Sequence, residues 1–164
     1  MSAERRPLDI AKIREALKSM DGLSQLQAYM LNKENIIRSM TETLNFHLVE
    51  AETGRAVFEG NPGHEHINLH GIVHGGWAGA IMDTAMACAV HSTLKVGETY
   101  STVEYKLNFV RPILPAAGTV RCTGTLLSRG RRIATSEGRL EDASGKLLAH
   151  GTETCVILPI EPEQ

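Results

Sequence analysis

From Trp77 to Val90 the chain reads WAGAIMDTAMACAV, a run of small and apolar residues broken by one charge, Asp83. A helix over this run is apolar on nearly every side, and such a helix is stable in water only when other elements cover most of its circumference. With 164 residues, 42% of them hydrophobic, the chain supports one buried core rather than two. The cover must therefore come from a sheet that curls around the helix. Ala78, Gly79, Ala80, Ala85, Ala87 and Ala89 let strands approach it closely. Asp83 is the exception to this greasy surface, and no Lys or Arg stands one turn away to pair with it. Burying an unpaired carboxylate costs several kcal/mol, roughly, so its proton affinity rises. That is how a general base or nucleophile is prepared, and Asp83 is the first candidate. The alternative is a carboxylate satisfied by backbone or hydroxyl groups, or held protonated in the core.

Residues 8–20 place Leu8, Ile10, Ile13, Leu17 and Met20 near a 3.6-residue period, which predicts a helix ending around Gly22. A second helix is predicted from Leu23 into the 30s. We assign residues 1–43 to a helical extension packed on a main domain at 44–164. Residues 46–62, FHLVEAETGRAVFEGNP, predict two short strands around a Thr53-Gly54 turn. A His-, Asn- and Gly-rich loop over 62–76 leads into the apolar helix. Strands are predicted near 99–111, 118–128, 131–141 and 146–158, as an antiparallel meander with turns at 112–118, Arg129-Gly130 and Ser144-Gly145. In the first of these, Val103, Tyr105, Leu107 and Phe109 alternate with Thr102, Glu104, Lys106 and Asn108. The same parity directs Ser101 to the helix side. The class is α+β.

Net charge is -2 and pI about 6.4, so the chain carries no electrostatic footprint for nucleic acid or an anionic membrane. The extension is nearly balanced in charge, which argues against DNA binding. The N-terminus lacks the apolar segment of a secretion signal, and the apolar run is shorter than the roughly 18 residues that span a bilayer. Cys88, Cys122 and Cys155 form no CxxC pair and are read as reduced core residues of a cytoplasmic protein.

Strands around one central helix, HGG at 74–76 where that helix starts, an acid nine positions after His74 and NFVRP at 108–112 form a combination. It resembles the hotdog-fold acyl-CoA thioesterases of the PaaI-like family, the phenylacetate-degradation and 4-hydroxybenzoyl-CoA thioesterase-like enzymes. The resemblance covers roughly residues 44–158. It implies a hotdog fold, an antiparallel sheet wrapped around one long helix, and an acyl-CoA substrate, with coenzyme A part of the substrate and no separate cofactor. Position by position, it places the catalytic acid at Asp83 and the carbonyl-polarising backbone N–H at Gly75. It places at Asn68 an amide that positions the attacking water or leaving thiolate, and at Ser101 a strand hydroxyl. It further implies a site shared across a dimer, with Gly75 and Asn68 of one subunit facing Asp83 and Ser101 of the other. The dimer is then the minimal active unit and a tetramer the expected assembly.

The chemistry suits these residue types. A carboxylate can activate water or attack directly, and an amide at a helix N-terminus can hold the developing oxyanion. His74 and Gly76 shape the turn beside the substrate. Arg111, Arg129, Arg131 and Arg132 suit the phosphates of coenzyme A through bidentate geometry, although Arg129, Arg131 and Arg132 also read as a solvated hairpin tip. His64, His66, His70 and His74 have spacings that can serve zinc, but His70 and His74 flank a glycine in a loop and no Cys lies nearby, so no metal is expected. Trp77, Met82 and Met86 read as core filling. Competing functions are an acyl-CoA sensor on the same fold and a hotdog enoyl-CoA hydratase. The hydratase would need an Asp and His pair, and His91 lies two turns beyond Asp83.

Overall fold

A computed structural model describes Glu15, residues 18–31 and residues 40–160. Helices α1 (Gly22–Leu31) and α2 (Met40–Thr43) lead into β1 (Phe46–Glu52) and β2 (Arg55–Gly60). The long α3 (Gly75–His91) follows, then β3 (Glu98–Phe109), β4 (Val120–Arg129), β5 (Ile133–Glu141) and β6 (Leu147–Pro159). The helix predicted over 8–20 lies mainly outside the described residues; the second predicted helix is α1.

All six strands form one antiparallel sheet in the order β1-β2-β4-β5-β6-β3. The predicted meander holds from β4 to β6 and fails for β3, which crosses to the far edge and pairs with β6 while β2 pairs with β4. Coverage of α3 is the physical reason. With β2 on one flank and β3 on the other, the sheet contacts the helix with every one of its strands. Trp77, Ile81, Met82, Ala85, Met86 and Ala89 are all buried there. Only glycine permits the closest approach, because a Cβ on Gly124 of β4 would sit 2.1 Å from the Ala85 carbonyl oxygen.

The strict alternation expected along β3 is broken. Pairing with β6 slips between Thr102 and Glu104, a bulge that leaves Val103 unpaired. Such an extra residue exchanges the faces of everything beyond it. Tyr105 and Leu107 face α3, near Gly79, but before the bulge the inward residues are Tyr100 and Thr102. Tyr100 packs edge-on against His91, and Thr102 bonds the buried Glu153. Ser101 therefore points away from the helix and is exposed, opposite to the parity expectation.

Helix α1 packs on the C-terminal end of α3. Leu26 is buried, the Gly22 N–H donates to the Leu94 carbonyl at 3.0 Å, and Gln25 Oε1 lies 3.1 Å from His91 Nε2. The outer edge of β3 has no strand partner among the described residues. Val103, Tyr105 and Phe109 are 58%, 49% and 58% exposed along it.

Candidate active site

The loop before α3 is a small closed structure. An Ile67–Val73 bridge ties its stem, and at its base the Asn68 N–H donates to Ile72 and the Gly71 N–H to Asn68. Gly71 turns the tip with φ +76°, a conformation that favours glycine. The Asn68 Oδ1 accepts from the His70 N–H at 2.8 Å and the Ile72 N–H at 3.4 Å. Its Nδ2 has no acceptor among the described residues. The loop docks through the Val73 N–H on the Ile113 carbonyl.

His74 caps α3. Its Nδ1 accepts from the Gly76 N–H at 2.8 Å, and its carbonyl accepts from Trp77 N–H at 2.9 Å. Gly75 N–H is left without an acceptor among the described residues, at the end of the helix where the dipole favours negative charge. Trp77 Nε1 donates to the Leu44 carbonyl at 2.7 Å and locks this helix end to the start of β1. Asn68, Gly75, Ala78, Phe109 and Arg111 share a cavity of about 290 Å³. The structure thus brings Asn68 and Gly75 together.

Gly75, Gly79 and Asp83 fall at i, i+4 and i+8, one stripe of α3. The stripe runs along β3: a Cβ on Gly75 would meet Phe109, and one on Gly79 would meet Leu107 and Tyr105. Asp83 is half-buried, and burial alone raises its carboxyl above the usual range. No hydrogen bond or ion pair reaches it among the described residues, which counts against a carboxylate satisfied by its surroundings. Eight helical residues put it about 12 Å along the axis from Gly75. One chain therefore keeps the acid and the free amide apart.

Near Asp83 lies a polar cluster that the sequence did not single out. Glu153 of β6 is 1% exposed; its Oε1 accepts from Thr102 Oγ1 at 2.8 Å and from Cys155 Sγ at 3.2 Å. Burial, with the nearby Asp83 charge, pushes its carboxyl up to about 7. Cys88 and Cys155 are pushed up to about 12, mainly by burial, so both are inert thiols. Glu153 had a signal in the sequence, since it shares parity with Ala149, Gly151, Cys155 and Ile157, all buried. Thr102 had none, because the bulge at Val103 decides its face.

The arginines do not gather in one chain. Arg111 donates to the Leu147 carbonyl at 2.6 Å beyond the end of β3. Arg129 is paired with Glu98 at 2.7 Å near the strand's start. At about 3.3 Å per residue these places lie about 40 Å apart. Arg131 and Arg132 are exposed. His66 is buried and accepts from the Gly63 N–H at 2.9 Å, His74 caps α3, and His64 and His70 are exposed. Among the described residues no three His, Cys, Asp or Glu converge as a metal set. No helix among them is long and apolar enough to cross a membrane.

A half-buried acid and an unengaged helix-start amide lie on one long helix wrapped by an antiparallel sheet, the architecture of the hotdog class. Residues 70–149 match the thioesterase superfamily. A Caenorhabditis elegans protein that carries an esterase name is 30% identical over 115 residues, 70% of this chain and 67% of that protein. Human acyl-coenzyme A thioesterase 13 is 29% identical over 127 residues, 73% of this chain and 89% of the human one. Among solved structures, a phenylacetic acid degradation-related protein of Ralstonia eutropha JMP134 superimposes with TM-score 0.70 at 30% identity, covering 79% of this chain and 97% of that one. The Escherichia coli PaaI protein shares the fold with TM-score 0.72 at 21% identity, over 84% and 94% of the two chains. The chain belongs to the thioesterase superfamily, among its PaaI-like hotdog members, and is a thioester hydrolase.

Proposed function

We propose that this chain hydrolyses acyl-CoA thioesters to free CoA and a carboxylic acid, with Asp83 as general base or nucleophile. The observation that carries the reading is the Asp83 carboxylate, half-buried on an apolar helix with no cation or donor among the described residues to compensate it. Such an acid holds its proton more tightly than an ordinary one and takes a proton from water, or attacks a carbonyl, at neutral pH. The Gly75 N–H polarises the thioester carbonyl and holds the oxyanion as it forms. Asn68 Nδ2 serves the attacking water or the leaving thiolate. Thr102, rather than Ser101, supplies the hydroxyl beside the acid. The human relative's name supports CoA as the thiol.

The site is completed by a second copy of the chain. The 12 Å or so between Asp83 and Gly75 on one helix is too long for groups acting on the same carbonyl, which must lie within hydrogen-bond reach of it. Pairing the open edges of two β3 strands in antiparallel fashion sets the start of one strand beside the end of the other. The apolar side chains exposed along that edge support such pairing. It also carries Arg131 and Arg132 of one subunit toward Arg111 of its partner, where together they suit the CoA phosphates. His74 and Gly76 form the turn that presents the Gly75 amide. Three free thiols fit the reducing cytoplasm.

The test is CoA release from a panel of aliphatic and aromatic acyl-CoAs, followed with a thiol reagent. Asp83→Asn is expected to lower kcat by at least about 100-fold with substrate binding retained. Near-normal turnover by that variant overturns the reading.

A further inference from the structure

Glu153 is a costly residue in its position. It is one of the few buried charged or polar side chains, and among the described residues no cation pairs with it. One oxygen, Oε1, is doubly engaged by Thr102 and Cys155. The other, Oε2, is buried without a partner, as is the hydroxyl of Ser136, its register neighbour on β5. The unengaged Oε2 is the oxygen open to carry a proton. An ionised carboxylate leaving Oε2 unsatisfied would pay the desolvation of a full charge.

We propose that Glu153 is a positioning residue for thioester hydrolysis, held neutral in its buried position and fixing the Thr102 hydroxyl by accepting its hydrogen bond. This rests on Asp83 being the catalytic acid. Because Thr102 donates to Glu153, its lone pairs are left to accept from the water or acid proton at Asp83. The deep burial of Glu153, with the Asp83 charge in its neighbourhood, keeps the proton on Glu153. The groups facing Glu153 are Asp83 and Cys88 from α3, Tyr100 and Tyr105 from β3, Cys155 from β6 itself and the uncharged Ser136 from β5. None of them supplies a positive charge. The rise of the Glu153 carboxyl to about 7 agrees with this arrangement.

When Glu153 ionises, a second negative charge stands beside a reaction centre that is itself accumulating negative charge, so turnover falls. In the homo-oligomer as it forms, kcat/KM of the wild type is expected to decline above about pH 7. Glu153→Gln mimics the neutral form and keeps an acceptor for Thr102. It is expected to lower kcat several-fold and to abolish that decline. Glu153→Ala leaves Thr102 unheld and is expected to lower kcat about 30-fold with KM within about twofold. Infrared difference spectra between wild type and Glu153→Gln are expected to show a protonated carboxyl at pH 6 that disappears by about pH 8. This readout is independent of turnover and separates failure of the proposal from failure of the Asp83 assignment. Superimposable pH profiles for wild type and Glu153→Gln, or a carboxylate signal from Glu153 throughout, overturn the proposal.

Discussion

At the residue scale, the two acids of the proposed site owe their character to what is missing around them. Among the described residues Asp83 has no compensating donor, and Glu153 has two donors on one oxygen and none on the other. Both hold protons more tightly in the folded chain than in the unfolded one. A raised carboxyl favours folding fully at pH below its unfolded value, and that contribution is lost as pH rises through the folded value. For Glu153 the window runs from its ordinary 4.5 to about 7, a loss on the order of 3 kcal/mol. Exposed carboxyls such as Asp21 and Asp142, lowered by hydrogen bonds, act in the opposite direction. The difference between wild type and Glu153→Gln isolates the buried acid. Thermal melts are expected to show the variant gaining Tm over wild type steadily between about pH 4.5 and 7, with a constant difference above. Asp83 was legible in the sequence because a lone charge in an apolar run has few explanations. Thr102 was not, since one bulged residue exchanges which neighbour faces inward.

At the scale of the element, α3 combines two properties that its sequence states separately. Its small residues admit the strands, and its first turn leaves one amide free because His74 engages the next two through its side chain and carbonyl. Gly75 is the first helical residue, where proline is tolerated, and His74 before it has φ -63° and ψ 136°, an extended conformation that proline accepts. A Cβ at 75 meets Phe109 no closer than 3.4 Å. Gly75→Pro therefore removes the N–H and little else. It is expected to fold with a Tm within a few degrees of wild type and to lose about 100-fold in kcat, as for other deleted oxyanion donors. Loss of fold or full activity in that variant would detach the amide from the chemistry.

At the scale of the whole molecule, the sheet order leaves β3 at an edge with its apolar side chains uncovered, while one chain holds the two halves of the site apart. The proposed second subunit would resolve both. Mixed oligomers test this directly. Asp83→Asn and Gly75→Pro chains, each inactive alone, are expected to regain about a quarter of wild-type activity when exchanged together, because a mixed dimer reunites one intact acid with one intact amide. A site contained in one chain gives no recovery.

The helix, the strands and their turns were readable from the sequence because periodicity, glycine turns and an uninterrupted apolar run are local properties of the chain. The resemblance carried by HGG, Asp83 and NFVRP placed the acid and the amide on those elements. Only the tertiary structure decided the crossing of β3 to the far edge, the inward turn of Thr102 and the isolation of Glu153. Each depends on contacts between residues far apart in sequence: covering α3 on both flanks governs the strand order, and pairing with β6 sets the bulge. Dry packing between helix and sheet then leaves Glu153 without a cation.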